Sequence, residues 1–132
     1  MDSTLNILKA LADKNRLRIV LALVRNGEMC ACQITELLQV AGATASRHLS
    51  LLTNAGLVET RKEGRWIYYR IIPDFYHHHQ ELFKWLQNQV QHSPDVEADR
   101  QTLEKIFTRT PTEICRQQRG ERCCPVNQTK KR

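Results

Sequence analysis

Two short segments of helical periodicity, joined by a tight turn and followed by a basic two-strand pattern, constrain this chain more than any other feature. Ile34, Leu37 and Leu38 line one face of a helix predicted over about residues 31–38, and Ala41-Gly42 supplies the turn. A second helix is predicted over about 43–54. It points Ala45, Leu49 and Leu52 inward and leaves Thr44, Ser46, Arg47 and His48 largely outside, with Ala55-Gly56 closing it. Leu57-Val58-Glu59-Thr60 and Trp66-Ile67-Tyr68-Tyr69-Arg70-Ile71 are rich in β-branched and aromatic residues and read as strands, joined by the loop Lys62-Glu63-Gly64-Arg65. Helices followed by a basic hairpin make a winged helix-turn-helix.

The flanking segments fit that core. Leu5, Leu8, Leu11 and Ala12 share a face of a first helix over 4–12, and Asp13-Lys14-Asn15 breaks it. Leu17, Val20, Leu21, Leu23 and Val24 line a second helix, with Arg16, Arg18 and Arg25 mostly outside and Asn26-Gly27 as its end. Beyond Pro73 an amphipathic helix over about 74–91 carries Phe75, Leu82, Phe83, Leu86 and Val90 in its apolar stripe. Ser93-Pro94 opens another helix, with Leu103, Ile106 and Phe107 inward. Thr110-Pro111-Thr112-Glu113 has the form of a capping box and starts a short helix through about Gln118. The predicted fold class is mainly α with a small β-hairpin, in the order α-α-α-α-β-β-α plus C-terminal helices. The chain divides into three regions: a DNA-binding and dimerisation domain over 1–91, a helical extension over 92–118, and a polar, flexible, cysteine-containing basic tail over 119–132.

Twenty Lys and Arg against fourteen Asp and Glu give a formal charge of +6, a balance suited to a polyanionic partner. No run of 18 apolar residues is present, and Met1-Asp2-Ser3-Thr4-Leu5 is unlike a signal peptide, so a cytoplasmic location is expected. Thiols are kept reduced there. The five cysteines are therefore expected to act as ligands, redox groups or core filler rather than as structural disulfides. No general base accompanies any cysteine, which argues against a thiol enzyme.

Cys30-Ala31-Cys32 stands at the first turn of the helix that supports the exposed one. Two thiols one residue apart form a soft chelating site, and a helix N-terminus favours the thiolate form. Residues i and i+2 lie about 200° apart on an ideal helix. Joint binding of one ion by Cys30 and Cys32 must therefore unwind or shift that turn and move the helix it supports.

The order of motifs resembles the ArsR/SmtB family of metal-responsive bacterial repressors. The matching stretches are Ala10-Leu11-Ala12-Asp13-Lys14-Asn15-Arg16-Leu17-Arg18-Ile19, Ser46-Arg47-His48-Leu49, Ala55-Gly56-Leu57-Val58 and Glu63-Gly64-Arg65-Trp66-Ile67-Tyr68-Tyr69. Glu28-Met29-Cys30-Ala31-Cys32 resembles the signature of the arsenic- and cadmium-sensing branch. The resemblance covers roughly residues 5 to 90. It implies a homodimer built on the first and fifth helices, an operator in double-stranded DNA, and relief of repression when the ion binds. Two positions depart from the family pattern: Thr35 stands where arsenic sensors often carry a third cysteine, and Pro73 where zinc sensors carry an aspartate.

As(III) and Sb(III) are soft and prefer three thiolates, so Cys30 and Cys32 need a third. Cys115, Cys123 and Cys124 are the candidates, either completing the site with the pair or holding a second ion. Thr44, Ser46, Arg47 and His48 are expected in the major groove, with two such helices about 34 Å apart across a palindrome. Arg61, Lys62 and Arg65 of the wing are expected at phosphates or the minor groove. The expected function is arsenic(III)-responsive repression. Cd(II), Pb(II) or Zn(II), or thiol oxidation by persulfide or peroxide, are the alternative signals. His77-His78-His79 is read as solvated or dimer-facing rather than as a metal site, since i and i+1 do not share a helix face.

Overall fold

Asp13 ends one helix and starts the next. Its carboxylate accepts the N–H of Arg16 at 3.1 Å, a helix N-cap that also holds its pKa below the ordinary value. The computed structural model describes residues 1–119; Cys123 and Cys124 of the expected tail lie outside the described residues. The elements run α1 (Asp2–Leu11), α2 (Lys14–Asn26), β1 (Glu28–Cys30), α3 (Ala31–Leu38), α4 (Gly42–Asn54), β2 (Val58–Glu63), β3 (Trp66–Ile71), α5 (Pro73–His78), α6 (Gln80–Val90), α7 (Pro94–Ile106) and α8 (Pro111–Arg119). The winged helix-turn-helix is present: α3 and α4 form the helix pair, and β2–β3 the wing. None of the described helices is long and apolar enough to cross a membrane.

The sheet has three strands rather than two. β1 joins β3 antiparallel, with Glu28 opposite Arg70 and Cys30 opposite Tyr68, giving the order β1-β3-β2. The hairpin is tighter than the sequence suggests, because Lys62 and Glu63 continue β2 and Gly64-Arg65 alone make the loop. Gly64 takes φ +62°, as the first position of a two-residue turn can require. The left-handed residue between α3 and α4 is Gln39, at φ 56°, whereas Gly42 is already the first residue of α4.

Ile19, Val20, Leu23, Met29, Ile34, Leu37, Leu49, Leu52 and Leu57 fill the centre, and Leu103, Ile106, Ile114 and Cys115 from α7 and α8 join the same core. The capping box at Thr110 forms as expected: Thr110 N–H donates to Glu113 Oε1 at 2.8 Å, and Glu113 N–H donates to Thr110 Oγ1 at 3.2 Å. Three expectations need correction. On α1, Ala10, Ile7 and Leu11 face the core, while Leu5 and Leu8 are 43% and 53% exposed. Phe107 lies just past the end of α7 and is exposed rather than buried. The helix expected over 74–91 breaks at His79, whose φ −130° and ψ 38° are non-helical. Its ring packs on Phe75 at 4.4 Å while Phe75 and Tyr76 close on Phe83, so the break lets the aromatic side chains from both helices share one cluster.

Candidate functional site

Cys30 is both the last residue of β1 and the N-cap of α3, and it is fully buried. Its N–H donates to Gln33 Oε1 at 2.9 Å, and the backbone of Gln33 turns back toward the Cys30 side chain in a reciprocal capping box. Thr35 donates its hydroxyl to the Ala31 carbonyl at 2.7 Å.

Cys32, in the first turn of α3, is 2% exposed. Its sulfur is joined to that of Cys115 on α8 across 83 residues of sequence, with 5.7 Å between the Cα atoms. This pairing departs from the expectation of reduced thiols, and its cause is geometric. The apolar side of α8 presents Ile114 and Cys115 to the start of α3 at a separation that suits a disulfide. Polar contacts frame the bridge: Gln118 Nε2 donates to the Cys32 carbonyl at 2.9 Å and to Glu36 Oε1 at 3.2 Å. Arg109 adds an ion pair to Glu36 at 3.4 Å.

Of the five expected thiol ligands, Cys32 and Cys115 are thus brought together, Cys30 lies two residues away at the strand end, and Cys123 and Cys124 lie outside the described residues. Among the described residues, no three His, Cys, Asp or Glu side chains already converge as a metal-sized group. The donors have the right softness, but Cys30 sits on the extended backbone at the end of β1 and Cys32 in the first turn of α3, so a three-sulfur site needs this strand-to-helix junction to rearrange.

On α4, Thr44, Ser46 and Arg47 are exposed, while Ala45, Leu49 and Leu52 anchor the helix in the core. His48 is half-buried rather than outside. Its Nδ1 lies 3.4 Å from Arg16 Nη1 and 3.9 Å from Asp13 Oδ2. Arg16 is itself fixed by donating through Nε to the Ala10 carbonyl at 2.8 Å, so His48 ties α4 to the α1–α2 corner.

The wing residues divide. Lys62 and Arg65 are exposed. Arg61 instead forms a two-bond fork on Glu28 at 2.8 Å each, meets Glu63 at 2.6 Å, and lies over the Tyr68 ring. The fork draws the Glu28 pKa below its ordinary 4.5. In the sequence Glu28 stands out only as part of the Glu28-Met29-Cys30-Ala31-Cys32 signature, without a partner. β1 places the Glu28 carboxylate beside Arg61 of the wing and Cys30 at the foot of α3, a placement set by pairing with β3 rather than by a local sequence signal. β1 therefore joins the wing to the start of α3. A fourth tie is Arg18, which donates to both Asp99 oxygens at 2.9 and 2.8 Å and to the Leu37 carbonyl at 3.2 Å, linking α2, α3 and α7.

Comparison with known proteins places this arrangement. Residues 13–60 match the family described as bacterial regulatory protein, arsR family. The arsenic resistance transcriptional regulator ArsR1 of Pseudomonas putida is 41% identical over 68 residues, 52% of this chain and 53% of that protein. A cadmium resistance transcriptional regulatory protein CadC homolog of Staphylococcus aureus is 42% identical over 65 residues, 49% of this chain and 54% of that protein. The chain thus spans about half the length of these two relatives. The match to the arsenic resistance transcriptional regulator ArsR2 of Pseudomonas putida is longer: 30% identity over 119 residues, 90% of this chain and 96% of that protein. Among solved structures, the homodimeric winged helix-turn-helix DNA-binding domain of a possible ArsR-family regulator from Mycobacterium bovis superposes with TM-score 0.58. It is 34% identical, and the match covers 70% of this chain and 82% of that one.

Proposed function

The chain belongs to the ArsR family of bacterial regulatory proteins, and on that footing we propose that it represses transcription as a cytoplasmic homodimer and leaves its operator when As(III) or Sb(III) binds Cys30 and Cys32. The family is one of transcriptional regulators, not enzymes. Thr44, Ser46 and Arg47 enter the major groove, Lys62 and Arg65 meet phosphates, and His48 orients α4 from behind. Arg61 braces the wing against Glu28 and reaches DNA only when that fork opens. Exposed Leu5 and Leu8 on α1 and Trp85 on α6 support a dimer surface on those helices.

The observation that carries the reading is the double role of Cys30, as strand end and as helix cap. Seating an ion on Cys30 and Cys32 distorts the turn they share. That distortion loosens Glu28 from Arg61 through β1 and tilts α4 through α3. A hundredfold loss of operator affinity requires about 2.7 kcal/mol, within the usual range of coupling between sites. Operator-release titration with arsenite is the test: Cys30→Ser/Cys32→Ser should stay bound where wild type dissociates, and equal release of both would refute the proposal.

The Cys32–Cys115 bridge favours a second reading, in which thiol oxidation is the signal. Release by hydrogen peroxide or an organic tetrasulfide, but not by arsenite, would select it. Release by Cd(II) with a four-sulfur tetrahedral spectrum would instead change the ion and keep the mechanism.

A further inference from the structure

We propose that Cys115 of α8 is the third thiolate of the As(III) site, so that α8 is a latch closed over α3 by the ion. The proposal rests on the arsenite reading and names the ligand that reading leaves open.

The bridge between Cys32 and Cys115 places two soft donors at one point in the core, both nearly inaccessible to water. Opening their S–S bond leaves two thiols facing each other, with Cys30 two residues up the chain at the strand end. A soft trivalent ion needs such a set, and thiolate is its preferred donor. The alternative third ligands, Cys123 and Cys124, lie outside the described residues.

α8 is built to need such a tie. It has nine residues, fewer than the roughly 12–15 at which an isolated helix becomes even marginal in water. Its capping box satisfies its own N-terminus, but its hold on the rest of the molecule is narrow. Ile114 and Cys115 are its buried side chains among the described ones, Gln118 reaches α3 at Cys32 and Glu36, and Arg109, just ahead of the helix, pairs with Glu36. The sulfur bridge and these polar contacts converge on the helix that carries Cys32. The same two sulfurs can therefore be linked directly, in the oxidised form, or through the ion, in the loaded form. The two forms exclude each other, so oxidation blocks loading.

The chemistry balances. A trialkylphosphine reductant and one water convert the disulfide into two thiols and the phosphine oxide. Arsenous acid, As(OH)3, then exchanges its three hydroxyls for the sulfurs of Cys30, Cys32 and Cys115. Three As–S bonds replace three As–O bonds, the three thiol protons leave with the hydroxyls, and three waters are released.

The experiment uses the full chain, reduced with a phosphine and loaded with arsenite. X-ray absorption at arsenic should count three sulfurs in wild type and in Cys123→Ser/Cys124→Ser, but two sulfurs and one oxygen in Cys115→Ser, with arsenite binding about 10²-fold weaker through the lost chelation. Amide exchange over residues 111–118 should slow on loading in wild type and stay unchanged in Cys115→Ser. Should Cys115→Ser fold poorly, wild type alone decides: arsenite should protect Cys30, Cys32 and Cys115 from alkylation, read by peptide mass, and leave Cys123 and Cys124 reactive. Three sulfurs retained in Cys115→Ser, or protection of the tail pair in place of Cys115, overturns the assignment while sparing the arsenite reading. Three sulfurs retained in Cys30→Ser/Cys32→Ser overturns the reading itself.

Discussion

Opening the Cys32–Cys115 bridge should remove a large share of the stability of the oxidised fold. The bond closes a loop whose ends are 83 positions apart in sequence, and chain-entropy arithmetic for that length gives about 4.5 kcal/mol. A domain of this size is stable by roughly 5–15 kcal/mol in total. What else holds α8 is modest: burial of Ile114 is worth about 1.5–3 kcal/mol, and the Gln118 hydrogen bond to the Cys32 carbonyl about 0.5–1.5 kcal/mol. Local release of α8 in the reduced protein would relieve part of the cost, so about 4.5 kcal/mol is the upper bound. The assay is urea unfolding followed by far-ultraviolet circular dichroism in Cys123→Ser/Cys124→Ser, with and without phosphine reductant. At a slope of about 2 kcal/mol per molar, the midpoint should drop by as much as roughly 2 M, and Cys115→Ala should match the reduced protein. A drop below about 0.5 M, or a Cys115→Ala midpoint equal to that of the oxidised protein, would refute the claim that α8 is tied to α3 through sulfur.

Asp99→Ala leaves Arg18 without its fork. Because the two side chains remain 20% and 14% exposed, the loss should be about 2–3 kcal/mol, below the full cost of stranding a buried charge, and thermal unfolding would measure it. Gln39→Gly removes a left-handed strain at φ 56° and should stabilise by about 0.5–1 kcal/mol in the same assay; a loss would mean that its bond to the Glu36 carbonyl outweighs the strain. Glu28 is held below its ordinary pKa of 4.5 by Arg61. Its contribution is therefore complete above 4.5 and disappears as pH falls through the lower folded value. In acid titration, Glu28→Gln should start less stable at neutral pH and lose less between about pH 5 and 3 than wild type, and parallel curves would exclude the fork as an acid-sensitive tie.

Much of this fold is written in local signals. Gly27, the Ser93-Pro94 start and the Thr110–Glu113 box act within a few residues, so their outcome is set by the residues themselves. The three residues of β1 carry no period long enough to read, and they become a strand because β3 offers them a partner. The break at His79 comes from aromatic packing between α5 and α6, which no helical spacing encodes. Leu5 and Leu8 keep helical spacing yet face outward, since periodicity marks an apolar stripe without naming what covers it. At the thiol site, the pair Cys30 and Cys32 is visible in the sequence, and Cys115 is one of three candidates for their partner. Its pairing with Cys32 comes from α8 folding back across 83 positions of sequence, a contact that only tertiary structure makes. The engagement of Arg61 is hidden for the same reason, because its acidic partner sits 33 positions earlier.

The order β1-β3-β2 leaves two open margins on the sheet, a standing invitation to strand addition between molecules. One margin is three residues long and begins with Glu28; the other carries the charged side chains of Glu59, Arg61, Lys62 and Glu63. Neither offers a flat apolar template, so copies crowded on neighbouring DNA sites should stay separate rather than zip together through their wings.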